Sequence, residues 1–335
     1  MHSSRLISFT LVAVLSFATS AIAQTRTSVA AQGGRTYEVP MTPWGDPDIQ
    51  GTFTSDDSLR VGTNRREEFG DRLFLTEEEY NARILEGNER VATFSEEFAA
   101  EDASIGTGPP SHWSEFGDEA SRQTSLVIDP PNGRIPPLTP YGESRPRLGE
   151  FQPELPGSHL SFTLYIRCIT RGVPGSISPV VYGNGTRIVQ GPGYVAITNE
   201  MVHEARIIPL TQSDHVGEDI RMYMGDSVGH WEGDTLVVET RNLTDLTGVG
   251  NNGGGNRHTE DLVITEHITR IAPDRVYYEA TFDDPRTWTS PWTLGFPLID
   301  KPSYDIFEYA CHEGNHGMFN MLSAARAEEA AAEVD

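Results

Sequence analysis

Short runs of β-branched and aromatic residues, separated by turn residues, dominate the chain after residue 160. We predict strands over residues 162–169, 187–189, 194–208, 230–240, 262–271, 275–282 and 306–310. The tripeptide Ala272-Pro273-Asp274 separates two of these runs, which favours antiparallel hairpins in a meander. A meander of about eight strands closes as a barrel with room for one small ligand at its mouth. The pattern therefore predicts a mainly β fold with an antiparallel, lipocalin/calycin-like barrel.

The region before the barrel has few periodic apolar runs. Residues 24–123 are rich in Gly, Pro, Asp and Ser, so we expect an extended, loop-rich N-terminal collar there. One short helix is indicated by the capping-box spacing at residues 76–79, and we expect it to end near Gly87. The barrel domain is then expected over residues 124–319, and a C-terminal helix or tail over residues 320–335.

Residues 1–23 are typical of a cleavable signal peptide. Arg5 precedes an apolar stretch over residues 6–18, and Ala21-Ile22-Ala23 supplies the small residues that a signal peptidase accepts. The apolar stretch is shorter than the about 20 residues that a membrane anchor needs. We therefore expect cleavage before Gln24 and an exported protein, either periplasmic or extracellular.

The charge of the chain narrows the choice of partners. The 335 residues carry a formal net charge of −24 at pH 7. This charge repels the phosphates of nucleic acids and of anionic membranes at long range. We predict a small-molecule partner, with no nucleic acid and no membrane, and we leave homo- and hetero-oligomers open.

The chain contains two cysteines, Cys168 and Cys311. An even number of cysteines in an exported chain indicates a disulfide bond. The alternative is a nucleophilic thiol, which needs a compartment that keeps it reduced. We predict that the two residues are bonded, which would join an early part of the barrel domain to its end.

Residues 200–206 bring several ionisable side chains into one predicted strand. Strand alternation would put Glu200 and Arg206 on one face and His203 on the other, unless a bulge intervenes. A solvated face of ion pairs would explain the pattern without any chemistry. Burial of unpaired charges in an apolar strand is costly, however, so their density also favours a catalytic role.

Residues 312–316 read His-Glu-Gly-Asn-His, which matches the His-Glu-x-x-His pattern of zinc peptidases. That spacing binds zinc only on a helix, and the two residues between Glu313 and His316 are poor helix formers. We retain His312 and His316 as candidate metal ligands, and His312 and Glu313 as candidate catalytic residues in a turn at the barrel rim. No cofactor is predicted, and a divalent metal is left open.

Aromatic side chains form the third candidate group. Trp288, Trp292 and Tyr309, together with His267, are candidate substrate-binding residues. Core packing would account equally for the tryptophans. At a barrel mouth, Trp and Tyr instead form an apolar wall with a polar handle, which suits an aromatic or sugar ligand.

Six segments of the chain resemble a large, mostly uncharacterised family of secreted bacterial β-barrel-like proteins. They are residues 126–137 (LVIDPPNGRIPP), 167–175 (RCITRGVPG), 200–210 (EMVHEARIIPL), 230–240 (HWEGDTLVVET), 281–293 (TFDDPRTWTSPWT) and 308–315 (EYACHEGN). The family commonly has an aromatic residue at the position of His316, where this chain departs from it. Some members resemble secreted enzymes that cleave the β-aryl ether bond of lignin-type dimers. The resemblance implies the same activity for this chain.

Ether cleavage would suit the candidate residues. A base takes the proton of a hydroxyl next to the ether carbon, and the alkoxide then displaces the aryloxide. His203 or Glu200 would be the base, and Arg206 or His312 would stabilise the leaving phenolate. We expect Glu200, His203, Arg206, His312 and Glu313 to converge on one aromatic-lined pocket. A non-catalytic ligand-binding barrel and a metal-dependent hydrolase or lyase are the alternatives.

Overall fold

A computed structural model describes residues 37–100, 115–148, 156–212 and 214–332, without the side chains of residues 94–100. The predicted signal peptide, residues 1–23, lies outside the described residues, as do the last three residues of the predicted tail. All the elements below belong to the unit Val39–Asp335. In the part of the chain that is described, no helix combines the length and the apolar character needed to cross a membrane.

The described residues form ten strands and four α-helices, with five short 3-10 helices in the connections. The strands are β1 (Gly51–Thr54), β2 (Val127–Asp129), β3 (Thr186–Gly191), β4 (Tyr194–Asn199), β5 (Ala205–Pro209), β6 (Asp226–Glu232), β7 (Thr235–Arg241), β8 (Val263–Ala272), β9 (Arg275–Asp283) and β10 (Trp292–Asp300). The helices are α1 (Glu77–Ala100), α2 (Pro140–Ser144), α3 (Val173–Ile177) and α4 (His316–Ala332).

The strands form one antiparallel sheet that curves into a nearly closed barrel. Their order is β5-β4-β3-β1-β10-β9-β8-β7-β6, and β2 pairs with β10 outside this path. The two ends of the path approach each other where β6 meets β5. A Cβ atom at Gly229 would lie only 2.9 Å from Cγ2 of Ile208, so glycine is required at this close approach. The predicted mainly β, antiparallel barrel is confirmed.

The barrel interior is filled by alternate side chains of each strand. In β8 the inward positions include Ile264 and Ile268, which lie opposite Phe282 and Tyr278 of β9. Phe296 of β10 lies opposite Tyr278 on its other side. Complete burial of an aliphatic or aromatic side chain of this size contributes about 1.5–3 kcal/mol to folding. The interior is therefore a packed core.

Five local predictions are wrong. The runs 194–208 and 230–240 are each two strands with a turn between them, and neither 162–169 nor 306–310 is a strand. The helix expected to end near Gly87 continues as α1 to Ala100. Gly87 makes room for Arg60, since a Cβ atom there would lie 1.5 Å from Nη1 of Arg60, and Nη2 of Arg60 donates to the Gly87 carbonyl at 3.1 Å.

Candidate functional site

Polar and aromatic side chains gather at one end of the barrel, where β4 ends and β5 begins. We call this end the upper rim and define it by residues 165–171, 182–185, 200–204 and 304–309. The pairing of β3 with β4 places the segment before β3 beside the turn that follows β4. Two loops of the upper rim are therefore adjacent because of strand register.

A tight turn between β4 and β5 sets the direction of the charged side chains. Val202 and His203 both have left-handed backbone angles, with φ values of 65° and 45°. Such angles are unfavourable for residues other than glycine, above all for a β-branched residue such as Val202. Each costs on the order of 1–3 kcal/mol. The amide of His203 donates to the Glu200 carbonyl at 2.9 Å, which closes the turn. As a result, Glu200 is buried while His203 is exposed.

The Glu200 carboxyl lies in a small buried polar group. Its Oε2 accepts a hydrogen bond from the Tyr304 hydroxyl at 2.6 Å. Gly185 permits this approach, since a Cβ atom there would lie 2.7 Å from Oε2 of Glu200. Burial raises the pKa of Glu200, and the bond from Tyr304 only partly opposes that rise. A carboxylate whose pKa is shifted upwards is a stronger base than an ordinary one.

The His203 side chain lies against the segment that contains Tyr309. Its Nδ1 is 3.0 Å from the carbonyl oxygen of Tyr309. Because a carbonyl only accepts, Nδ1 carries the proton in this contact, and in the neutral ring Nε2 is the acceptor. This tautomer is the one required of a histidine that takes a proton through Nε2.

Three tyrosines form a half-buried aromatic group at the upper rim. The Tyr182 and Tyr309 ring centroids are 6.4 Å apart, and the Tyr182 and Tyr165 hydroxyls are 3.5 Å apart. Burial raises the pKa of Tyr182 to about 12 and also raises the pKa of Tyr309. These hydroxyls therefore keep their protons at neutral pH and can donate hydrogen bonds.

Arg171 lies beside these tyrosines and is completely buried. Among the described residues, Nε, Nη1 and Nη2 of its guanidinium have no hydrogen-bond partner. Burial lowers the pKa of Arg171 to about 10, so the group still carries its positive charge at neutral pH. A buried charge without a partner is among the most unfavourable arrangements in a protein.

A disulfide bond holds the upper rim together. Cys168 and Cys311 are bonded, with their Cα atoms 5.5 Å apart, as the sequence predicts. Nδ2 of Asn315 also donates to the carbonyl of Ile166 at 3.1 Å. The bond therefore links the Tyr165–Arg171 segment to the chain that follows Tyr309.

Arg206 lies inside the barrel, away from the turn that precedes it. Its Nη1 and Nη2 donate to the two carboxylate oxygens of Glu266 at 2.6 and 2.8 Å, and Tyr278 donates to Oε1 of Glu266 at 2.8 Å. Burial would lower the pKa of Arg206, but the charge and hydrogen bonds of Glu266 reverse this and raise it. Both Nη atoms of Arg206 are thus already occupied.

The His-Glu-x-x-His segment is not a helix. His312 and Glu313 are exposed in a turn after the disulfide, and His316 is the first residue of α4. Over the described parts of the chain, no three His, Cys, Asp or Glu side chains are arranged to hold a metal ion. The metal and catalytic roles of His312, Glu313 and His316 stay predictions without a geometry that supports them.

The predicted aromatic residues are divided between two environments. Trp288 and Trp292 are buried in the core, where Trp292 stacks on Phe282 with a centroid distance of 4.4 Å. His267 alternates with the inward-facing residues of β8 and so lies on the outer face of the sheet. Tyr309 is the predicted substrate-binding residue that the structure brings to the upper rim.

A cavity of about 430 Å³ lies away from these residues, between α1 and the segment 116–122. Asp57, Arg60 and Phe116 are among its lining residues. Burial raises the pKa of Asp57 to about 6, and a hydrogen bond from the backbone of Glu119 partly opposes the shift. The cavity is thus lined by both acidic and basic side chains.

The structure brings Glu200, His203 and Tyr309 together, and adds Arg171 and Tyr182, which sequence reasoning missed. Arg171 stands alone as a charged residue before an uncharged run, and this was the signal that could have identified it. Comparison of the chain with protein-family models, curated proteins and solved structures finds no match. The geometry of the upper rim is therefore the main guide to function.

Proposed function

We propose that the protein is an exported enzyme that acts on a small aromatic substrate at the upper rim by acid/base chemistry without a cofactor. The single observation that carries this proposal is the Glu200 carboxyl, which is buried, has a raised pKa and lies on the same rim as an aromatic group. Its hydrogen bond to Tyr304 fixes its orientation. The fold would use its lipocalin/calycin-like mouth as a ligand site.

The reaction we propose is cleavage of the β-aryl ether bond of lignin-type dimers. Glu200 takes the proton of the hydroxyl next to the ether carbon, and the alkoxide oxygen forms a new bond to that carbon. The bond between that carbon and the aryloxy oxygen breaks, and its electron pair leaves on the aryloxide. Hydrogen bonds from the Tyr182 and Tyr309 hydroxyls stabilise the aryloxide, and the proton ends on the released phenol.

His203 is the alternative base, because its Nε2 is the acceptor when Nδ1 donates to the Tyr309 carbonyl. The leaving-group role predicted for Arg206 has less support, since Glu266 already occupies its two Nη atoms. The role predicted for His312 likewise has no contact in its favour. The Tyr182 and Tyr309 hydroxyls are assigned this task because they lie in the aromatic group of the upper rim.

The test is release of 2-methoxyphenol from a β-aryl ether dimer by the purified protein. Glu200→Gln should lower turnover by about 10²–10⁴-fold, which is the usual contribution of a general base. Glu78→Gln, at an exposed position of α1, removes the same charge and should leave turnover unchanged. Binding of the dimer with no release by the wild type would favour the non-catalytic binding barrel instead.

A further inference from the structure

Arg171 differs from every other buried arginine of the described residues. Arg65, Arg206 and Arg270 are also buried, and each donates to a side chain or a carbonyl oxygen. Only Arg171 has all three guanidinium nitrogens without a partner in the described part of the chain. Because the same fold supplies acceptors to the other three, the exception at Arg171 calls for a specific explanation.

Among the described residues, no carboxylate accepts a hydrogen bond from the Arg171 guanidinium. Glu115 interacts with it only through space, while Oε2 of Glu115 accepts from the amide of Asn184 at 3.2 Å. Burial raises the pKa of Glu115, as it does for Glu200. Within the described residues, the Arg171 cation is therefore not neutralised by a hydrogen-bonded ion pair.

The backbone on either side of Arg171 is held firmly. The Thr170 hydroxyl donates to Oε2 of Glu204 at 2.6 Å and accepts from the amide of Gly172 at 2.9 Å. Gly172 has a φ of 73°, a conformation that glycine adopts without strain. The backbone that carries Arg171 is therefore positioned in advance, which lowers the entropic cost of binding a ligand.

We propose that Arg171 binds an anionic oxygen group carried by an aromatic ligand, and that the Tyr182 and Tyr309 rings hold the ring of that ligand. The planar guanidinium donates to both oxygens of a carboxylate in a bidentate geometry, and it can also donate to a phenolate. The three neighbouring tyrosines are half-buried, so the cluster extends to the surface. This inference rests on the proposed function for the identity of the site and adds the class of ligand.

The test is calorimetric binding of three probes: 4-hydroxy-3-methoxybenzoate, its neutral methyl ester, and 2-methoxyphenol. The wild type should bind the benzoate at least about 10-fold more tightly than the ester, as expected for a charge-assisted pair. Arg171→Met should lose this preference. Arg66→Met, at a side chain that is 68% exposed, should retain it. Arg171→Met removes an unpaired buried charge, so we expect it to fold at least as stably as the wild type.

The pH dependence distinguishes the two sources of negative charge. If the ligand group is a carboxylate, the preference for the benzoate stays constant between about pH 6 and pH 7, where the ester is neutral. If it is a phenolate, 2-methoxyphenol binds more tightly as the pH rises from about 7 to about 9, because its ionised fraction increases while Arg171, with a pKa of about 10, keeps its charge. Equal affinity of the wild type for acid and ester, with no gain for the phenol at high pH, would overturn the proposal. If the wild type shows the binding preference but cleaves no aryl ether, only the proposed reaction is contradicted.

Discussion

Replacement of Glu266 by Gln should strongly destabilise the barrel. Arg206 and Glu266 are joined by two hydrogen bonds of 2.6 and 2.8 Å and are both buried. Glu266→Gln leaves the Arg206 cation in the core without an opposite charge. Removal of one partner of such a pair costs about 3–5 kcal/mol. The Tyr278 hydroxyl also loses a charged acceptor.

Urea unfolding, followed by tryptophan fluorescence, measures this cost. We expect the midpoint of Glu266→Gln to fall by about 1 M or more, given an m value of about 3 kcal/mol per M. The control replaces the whole group by apolar side chains, as Arg206→Met, Glu266→Leu and Tyr278→Phe together. That variant should unfold near the wild-type midpoint, because no buried polar group is left unpaired. A midpoint for Glu266→Gln within about 0.2 M of the wild type would refute this reasoning.

Three further predictions concern other parts of the chain. Joint replacement of Cys168 and Cys311 by Ser should lower the free energy of unfolding by about 5 kcal/mol in urea titrations, because the bond closes a loop of 143 residues; an unchanged midpoint would contradict this. The raised pKa of Asp57, about 6, means that its ionisation opposes folding as the pH rises from about 4 to about 7. Asp57→Asn should therefore raise stability by roughly 1 kcal/mol at pH 7, after allowance for solvent screening, and by nothing at pH 3.5, whereas Asp234→Asn, at an exposed turn, should have no such pH-dependent effect. Mass spectrometry of the protein recovered outside the cytoplasm should give Gln24 as its first residue, and a retained Met1-initiated chain would contradict cleavage.

The hairpin of β8 and β9 follows directly from the sequence, since apolar and polar residues alternate on both sides of Ala272-Pro273-Asp274. The turn between β4 and β5 does not. Val202 and His203 take left-handed angles without a Gly, Asn or Pro to signal them. Tertiary packing decides that conformation, so the predicted single strand over residues 194–208 is wrong.

The candidate site was only partly visible in the sequence for the same reason. Glu200, His203 and Tyr309 could be singled out by residue type, and the disulfide by the number of cysteines. The pairing of Arg206 with Glu266 depends on the register of strands 60 residues apart. The isolation of Arg171 depends on burial, which residue type does not reveal.

The most direct test of the upper rim as the functional site is a crystal structure of the protein with bound 4-hydroxy-3-methoxybenzoate. We expect the carboxylate to accept hydrogen bonds from the Arg171 guanidinium, with the ring of the ligand against Tyr182 and Tyr309. Binding of the ligand in the cavity beside α1, with Arg171 still unpartnered, would contradict the account.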